Sequence, residues 1–155
     1  MYYAPTGYGN RSEGAVVCAS KTNSGKKNYN PAGTAAGEAH ARAMAALYGM
    51  SANSCHLAPS VLGGTGQRSN VAYCWRLTNV GANSMREVET EARNQVKAGL
   101  VVEYEAVPIY HDAKSTVPTG FWLGYVADTA SGQYVTSNMV KVENDANNTR
   151  PNLGN

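Results

Sequence analysis

Residues 53–89, NSCHLAPSVLGGTGQRSNVAYCWRLTNVGANSMREVE, limit the fold of this chain more than any other stretch. His56 is followed by a glycine-rich turn, Gly63-Gly64-Thr65-Gly66, then by Asn70, by Asn79 nine residues later, and by a capped amphipathic run. Asn53–Ala58 reads as a short strand ending at Pro59, and Asn70–Leu77 as a second strand whose Trp75 packs in the core. The result is a His–loop–Asn–helix arrangement. A histidine at a strand end can take a proton from water, because its ordinary pKa of about 6.5 suits a base at neutral pH. An asparagine amide oxygen where a helix begins can hold a hard divalent cation, which prefers oxygen ligands. Brought together, the two make a one-metal hydrolytic site.

The remaining segments supply the frame. Gly14–Lys21 holds a β-branched run expected to be a buried strand, and Thr22–Gly33 is turn chemistry throughout. Thr34–Leu47 is alanine-rich, with Thr34 as N-cap and Gly49 as stop, and predicts a helix. Ser84 and Glu87 form a capping box, after which Met85, Val88, Ala92 and Val96 recur at helical spacing until Gly99. In Leu100–Tyr110, Val102, Tyr104 and Ala106 share one strand face, opposite Glu103, Glu105 and Val107. Phe121–Ala127 and Tyr134–Val142 read as a hairpin around a Ser131-Gly132 turn. Residues 1–12 and 144–155 are expected to be irregular or mobile. The expectation is a single α+β domain over residues 1–155 with a mainly antiparallel sheet.

Composition excludes some classes. Only 15% of residues are charged, against roughly 25% in an average soluble protein, while the 16 glycines and 10 tyrosines favour strands, turns and ordered loops. No apolar run approaches the roughly 20 residues that span a membrane, so no membrane partner is expected. The first residues lack the charged and apolar regions of a signal peptide, so the expectation is either an export signal elsewhere in a longer protein or a Met1 that is not the natural start. A formal net charge of +2 is too small to establish nucleic-acid binding by itself. Three cysteines with no CxxC spacing argue against zinc and leave at least one thiol unpaired within the chain.

Each candidate residue also has a plainer reading. A histidine between cysteine and leucine is most often a satisfied buried residue, and His40 on the alanine-rich helix a surface or packing one. Asn70 and Asn79 have the ordinary roles of turn former and helix cap. Glu87 and Glu89 can simply balance the helix dipole, and for Glu87 the capping box favours that role. A solvated helix face accounts for Arg86 and Arg93, and burial for the three cysteines as free thiols. The functional reading starts from the substrate instead. A phosphodiester repels nucleophiles, so its hydrolysis needs both a proton acceptor and an opposing charge at the phosphorus oxygens. One amide ligand leaves most of a cation's shell to water, which Mg²⁺ tolerates because it dehydrates reluctantly.

The motif CHLAPSVLGGTG, then Asn70 to Cys74, then Arg76-Leu77-Thr78-Asn79, resembles the DNA/RNA non-specific endonuclease family of the ββα-metal (His-Me finger) superfamily, in particular its bacterial toxin-type branch. Met85 with Glu89, Val107-Pro108-Ile109-Tyr110 and Val117 to Phe121 continue the likeness, which is specific from Cys55 to Phe121. The resemblance implies a ββα-metal catalytic core in which His56 is the general base, Asn70 supports the site, and Glu89 reaches the water shell of an ion held by Asn79. Asn83 is the alternative ligand. It also implies a Cys55–Cys74 disulfide. Where the family has Asp-Arg-Gly-His this chain has Asn53-Ser54-Cys55-His56, so phosphate contact passes to Arg68 or Arg76.

The implied function is a Mg²⁺- or Mn²⁺-dependent, sequence-non-specific cleavage of DNA, RNA or both, leaving 5′-phosphate ends. The protein would be secreted or delivered to a target cell, and a toxin form would need an immunity protein as partner. A different class of reading is a non-catalytic, β-rich extracellular module that grips sugar or protein through its tyrosines, supported by their abundance and by the low charge.

Overall fold

The computed structural model describes residues 1–22, 39, 42, 43, 46, 47 and 52–145. Its main layer is an antiparallel five-stranded sheet in the order β1-β2-β5-β6-β7, formed by β1 (Tyr2–Tyr3), β2 (Ala15–Ala19), β5 (Val101–Ile109), β6 (Gly120–Asp128) and β7 (Tyr134–Glu143). A separate two-stranded sheet pairs β3 (Ala52–His56) with β4 (Val71–Trp75). Two helices follow it, the short α1 (Arg76–Val80) and the longer α2 (Met85–Ala98). The α+β class and the antiparallel sheet agree with the sequence reading.

Period-two patterning decides which face of the large sheet is buried. Val102, Tyr104 and Ala106 of β5, with Phe121, Leu123 and Ala127 of β6, lie under α2, whose Met85, Val88, Ala92 and Val96 complete the core. Glu103, Glu105, Trp122 and Val126 point to the other side. Helix α2 stops at Gly99, whose φ of +100° a residue with a Cβ adopts only with strain. The amides of Gly99 and Leu100 then satisfy the carbonyls of Val96 and Gln95.

Several elements depart from the sequence reading. Tyr2–Tyr3 adds an edge strand to β2, and Tyr8–Asn10 form a 3₁₀ turn, within a lead-in expected to be irregular. The second hairpin strand ends at Trp75, not Leu77, because Arg76–Val80 turn into a helix; Trp75 is half-exposed at that corner and not in the core. At the start of α2 the capping box is rearranged: Ser84 makes no side-chain cap, and Glu87 accepts the N–H of Asn83 at 3.0 Å instead. Asn144 is tied down by three side-chain hydrogen bonds, to Tyr73, Trp75 and Pro118, whereas 146–155 lie outside the described residues. The expected Thr22–Gly33 loop and Thr34–Leu47 helix, with His40, fall largely outside them too; Ala39, Arg42, Ala43, Ala46 and Leu47 are helical.

The small sheet is held by a covalent bond. Cys55 and Cys74 are disulfide-linked with their Cα atoms 5.9 Å apart, both fully buried, while Cys18, exposed on β2, is outside the disulfide. Two-stranded sheets are marginal on their own, and a cross-link closing a loop of this size (sequence separation 19) removes much of the unfolded chain's freedom. Replacing both cysteines by serine should therefore lower the unfolding free energy by about 3 kcal/mol on the chain-entropy estimate. Urea unfolding of the double variant beside the wild type measures this, and coincident midpoints would show that the bridge adds nothing.

Candidate active site

His56 closes β3 opposite Val71. Alternation along the strand sends Cys55 and Leu57, both at 0% exposure, into the core and leaves His56 half-buried on the other side. A histidine between two core positions is thus presented to solvent by the pleat itself.

The loop after His56 is fixed by Asn70. Its amide oxygen accepts the N–H of Ala58 at 2.6 Å, and its amide nitrogen donates to the carbonyls of Ala58, at 2.9 Å, and Thr65. Its backbone carbonyl also accepts the N–H of Leu57 at 2.8 Å. The side chain is fully buried, and its one acceptor and both donor hydrogens are all used on the loop. Asn70 therefore fixes the loop that follows His56. Gly64 has a matching constraint, since a Cβ there would lie 1.7 Å from the Ala58 carbonyl oxygen. Tyr3 of the edge strand closes the far side by accepting the Thr65 N–H at 3.0 Å.

Helix α1 packs on β3, β4 and α2, so β3, β4 and α1 form one ββα unit carrying His56, Asn70, Arg76 and Asn79. Asn79 is half-buried on α1. Asn83 lies in the following turn, exposed, with φ +55°, a left-handed conformation that asparagine tolerates better than most residues. Arg68, in the 3₁₀ turn before Asn70, and Arg76, the first residue of α1, are both exposed.

Glu89 stands on α2 next to the core. Burial pushes its carboxyl up to about 7, with the neighbouring Arg86 guanidinium opposing the shift. Its charge in turn helps push up the Tyr104 hydroxyl, which burial already raises. Arg93 follows Glu89 by one helical turn and so shares its face. The Tyr104 hydroxyl and the Arg93 Nε are buried with no hydrogen-bond partner among the described residues. Such orphans cost about 1–3 kcal/mol each, and functional sites are where folds tolerate them.

The candidate residues can be compared, by donor type alone, with what a dication needs. Asn79 and Glu89 offer oxygen, His56 nitrogen, and the two nearby cysteines are spent on the disulfide. Among the described residues no three His, Cys, Asp or Glu side chains gather into a cage. These donors fit a hard ion that keeps most of its water, such as Mg²⁺, better than a dehydrated structural zinc or calcium.

The family model for DNA/RNA non-specific endonucleases matches residues 14–129. The chain belongs to this family. Solved structures give it the family's fold as well. An extracellular endonuclease aligns over 94% of this chain and 78% of its own, with a TM-score of 0.71 at 17% identity. An extracellular nuclease aligns over 94% and 84%, with 0.69 at 16%. NucA from Streptococcus agalactiae, crystallised with a magnesium ion bound, aligns over 94% and 73%, with 0.67 at 16%. No curated protein matches the chain.

Membership in the endonuclease family makes the chain a nuclease, and several of its tyrosines serve the fold and not a surface. Tyr73, Tyr104 and Tyr125 are core residues, at 2%, 0% and 7% exposure. Among the described residues no helix is long and apolar enough to cross a membrane. Sequence reasoning missed Thr78 and Asn144, whose partners lie 65 and 69 residues away. No local pattern signals contacts of that range.

Glu89 makes the stability of the fold pH-sensitive. Its folded pKa of about 7 lies above the ordinary 4.5. Between those values the folded protein keeps a proton that the unfolded chain has released, so stability falls as pH rises through the window. In EDTA, Glu89→Gln should melt like the wild type near pH 4 and at a higher temperature near pH 8. Parallel melting curves across the whole range would remove the buried-carboxylate argument.

Proposed function

We propose that this nuclease is a one-metal, sequence-non-specific endonuclease of DNA, RNA or both, with His56 as general base and Asn79 as the protein ligand of Mg²⁺ or Mn²⁺. The observation that carries the reading is the ββα unit: a half-exposed histidine at the end of β3, with the helix that holds Asn79 packed on the same strand. When bound, the dication offsets the charge that grows on the phosphorus oxygens and on the departing 3′ oxygen.

The chain's own residues supply the rest. His56 takes the proton of the attacking water, and the Asn70 staple with the buried disulfide keeps the imidazole in place while it does so. Glu89, whose carboxyl burial pushes up to about 7, would accept hydrogen bonds from water around a bound dication. Arg68 and Arg76 meet the phosphates of the strand from their exposed positions beside the hairpin. In-line attack with departure of the 3′ oxygen leaves a 5′-phosphate end.

Asn79 is preferred to Asn83 because Asn83 already has a conformational task, a left-handed turn whose N–H is held by Glu87. Export, as a secreted enzyme or a toxin module with an immunity partner, is supported by the disulfide, which persists in oxidising compartments. The description of two structural neighbours as extracellular points the same way.

Plasmid nicking with and without EDTA is the direct test of metal dependence. His56→Ala should lower cleavage by about 10²–10⁴-fold, the usual contribution of a general base, in a protein that still folds. Asn79→Ala should raise the Mg²⁺ needed for half-maximal cleavage, whereas Asn83→Ala should cost at most about 1–2 kcal/mol of stability. A metal defect in Asn83→Ala alone would move the ligand to Asn83. Full wild-type activity in EDTA would end the one-metal reading.

A further inference from the structure

The helix that carries Asn79 cannot hold its own position. Helix α1 is only five residues long, far below the roughly 12–15 at which an isolated helix becomes marginal in water. Its N-cap residue, Trp75, makes no side-chain cap. Besides its packing on β3, β4 and α2, it is tied by residues more than 60 positions later in the chain.

The Trp75 N–H donates to the Oδ1 of Asn144 at 2.9 Å. The Nδ2 of the same side chain donates to the carbonyls of Tyr73 at 3.1 Å and Pro118 at 2.8 Å. Its backbone N–H donates to the carbonyl of Thr119 at 2.9 Å. One half-buried amide thus joins the end of β4, the entry to α1 and the segment leading into β6, with its acceptor and both donor hydrogens committed. A second tie comes from the preceding residue: the Thr78 hydroxyl donates to the Glu143 carbonyl at 3.2 Å. Trp75 and Thr78 are three residues apart, about one turn, so both ties grip the same side of α1. Thr78 is fully buried, and Asn79, about 100° further round, is at the boundary with solvent.

We propose that the end of β7, Glu143 and Asn144, is the positioning device of the metal site, setting where α1 presents the Asn79 amide. This rests on Asn79 being the metal ligand. Both residues lie beyond residue 129, where the family match ends, so this chain anchors its ligand helix with residues outside the matched region. Asn144 parallels Asn70: each is an asparagine whose side chain is spent on backbone, one fixing the loop after the base and the other the helix of the ligand.

Asn144→Ala and the milder Thr78→Val test the inference, with Val102→Ala, a core deletion at the other end of the sheet, as a destabilised control. Mn²⁺ binding without substrate, followed by electron paramagnetic resonance, should weaken about tenfold or more in Asn144→Ala and less in Thr78→Val, in the range of outer-shell losses at metal sites. It should stay at the wild-type value in Val102→Ala. Hydrogen exchange at the Gly81 amide, bonded to Leu77 at the end of α1, should accelerate in the first two variants only. Unchanged Mn²⁺ affinity in both, or an equal loss in the control, overturns the positioning role. If Asn144→Ala does not fold, Thr78→Val against the control decides the question. A wild-type protein that binds no Mn²⁺ and cleaves in EDTA would instead overturn the metal reading, and this inference with it.

Discussion

The strands that bear the candidate base share no hydrogen-bond ladder with the sheet that forms the core. Everything about the site follows from that separation. A two-stranded sheet has too few contacts of its own to set a side chain to the tolerance that chemistry needs. Three kinds of anchor compensate: the buried Cys55–Cys74 bond across the hairpin, the Asn70 staple at its open end, and the Asn144 clasp where β4 becomes α1. The large sheet and α2 then provide a rigid wall, with Leu57 and Leu62 sunk into the common core.

Some of this architecture was legible in the sequence because it is local. Alternation in Leu100–Tyr110, helical spacing from Met85 to Val96 and the glycines at 99 and 132 each depend on neighbours a few residues away. The pairing of Cys55 with Cys74 came from resemblance, and the structure contains it. What stayed hidden was what tertiary contact decides. Arg76–Val80 is too short to carry a periodic signal and exists because β4, α2 and Asn144 surround it. The same corner leaves Trp75 half-exposed, against the general tendency of tryptophan to be buried. Ser84 and Glu87 have the letters of a capping box but not its bonds, because the left-handed Asn83 offers its N–H to Glu87 first.

Glu89 illustrates a conflict between stability and chemistry. An apolar residue of similar size at that position on α2 would remove a buried ionisable group, and the fold gains nothing evident from keeping it. The orphaned Tyr104 hydroxyl and Arg93 Nε are of the same kind. On the exposed side of α2, by contrast, Glu91 accepts a hydrogen bond from Asn138 at 2.6 Å.

The clasp on α1 has a consequence for biosynthesis. Trp75 and Asn144 are separated by 69 residues, and β5, β6 and β7 all lie between them. A chain emerging from the ribosome exposes His56 and Asn79 long before it exposes the residue that orients α1. The local elements around the base can form early, but their final geometry waits for contacts of long range, whose loop-closure entropy makes them late and slow. On the proposed roles of His56 and Asn79, the nascent chain therefore carries both groups before α1 reaches its final geometry, which waits for β7 to dock.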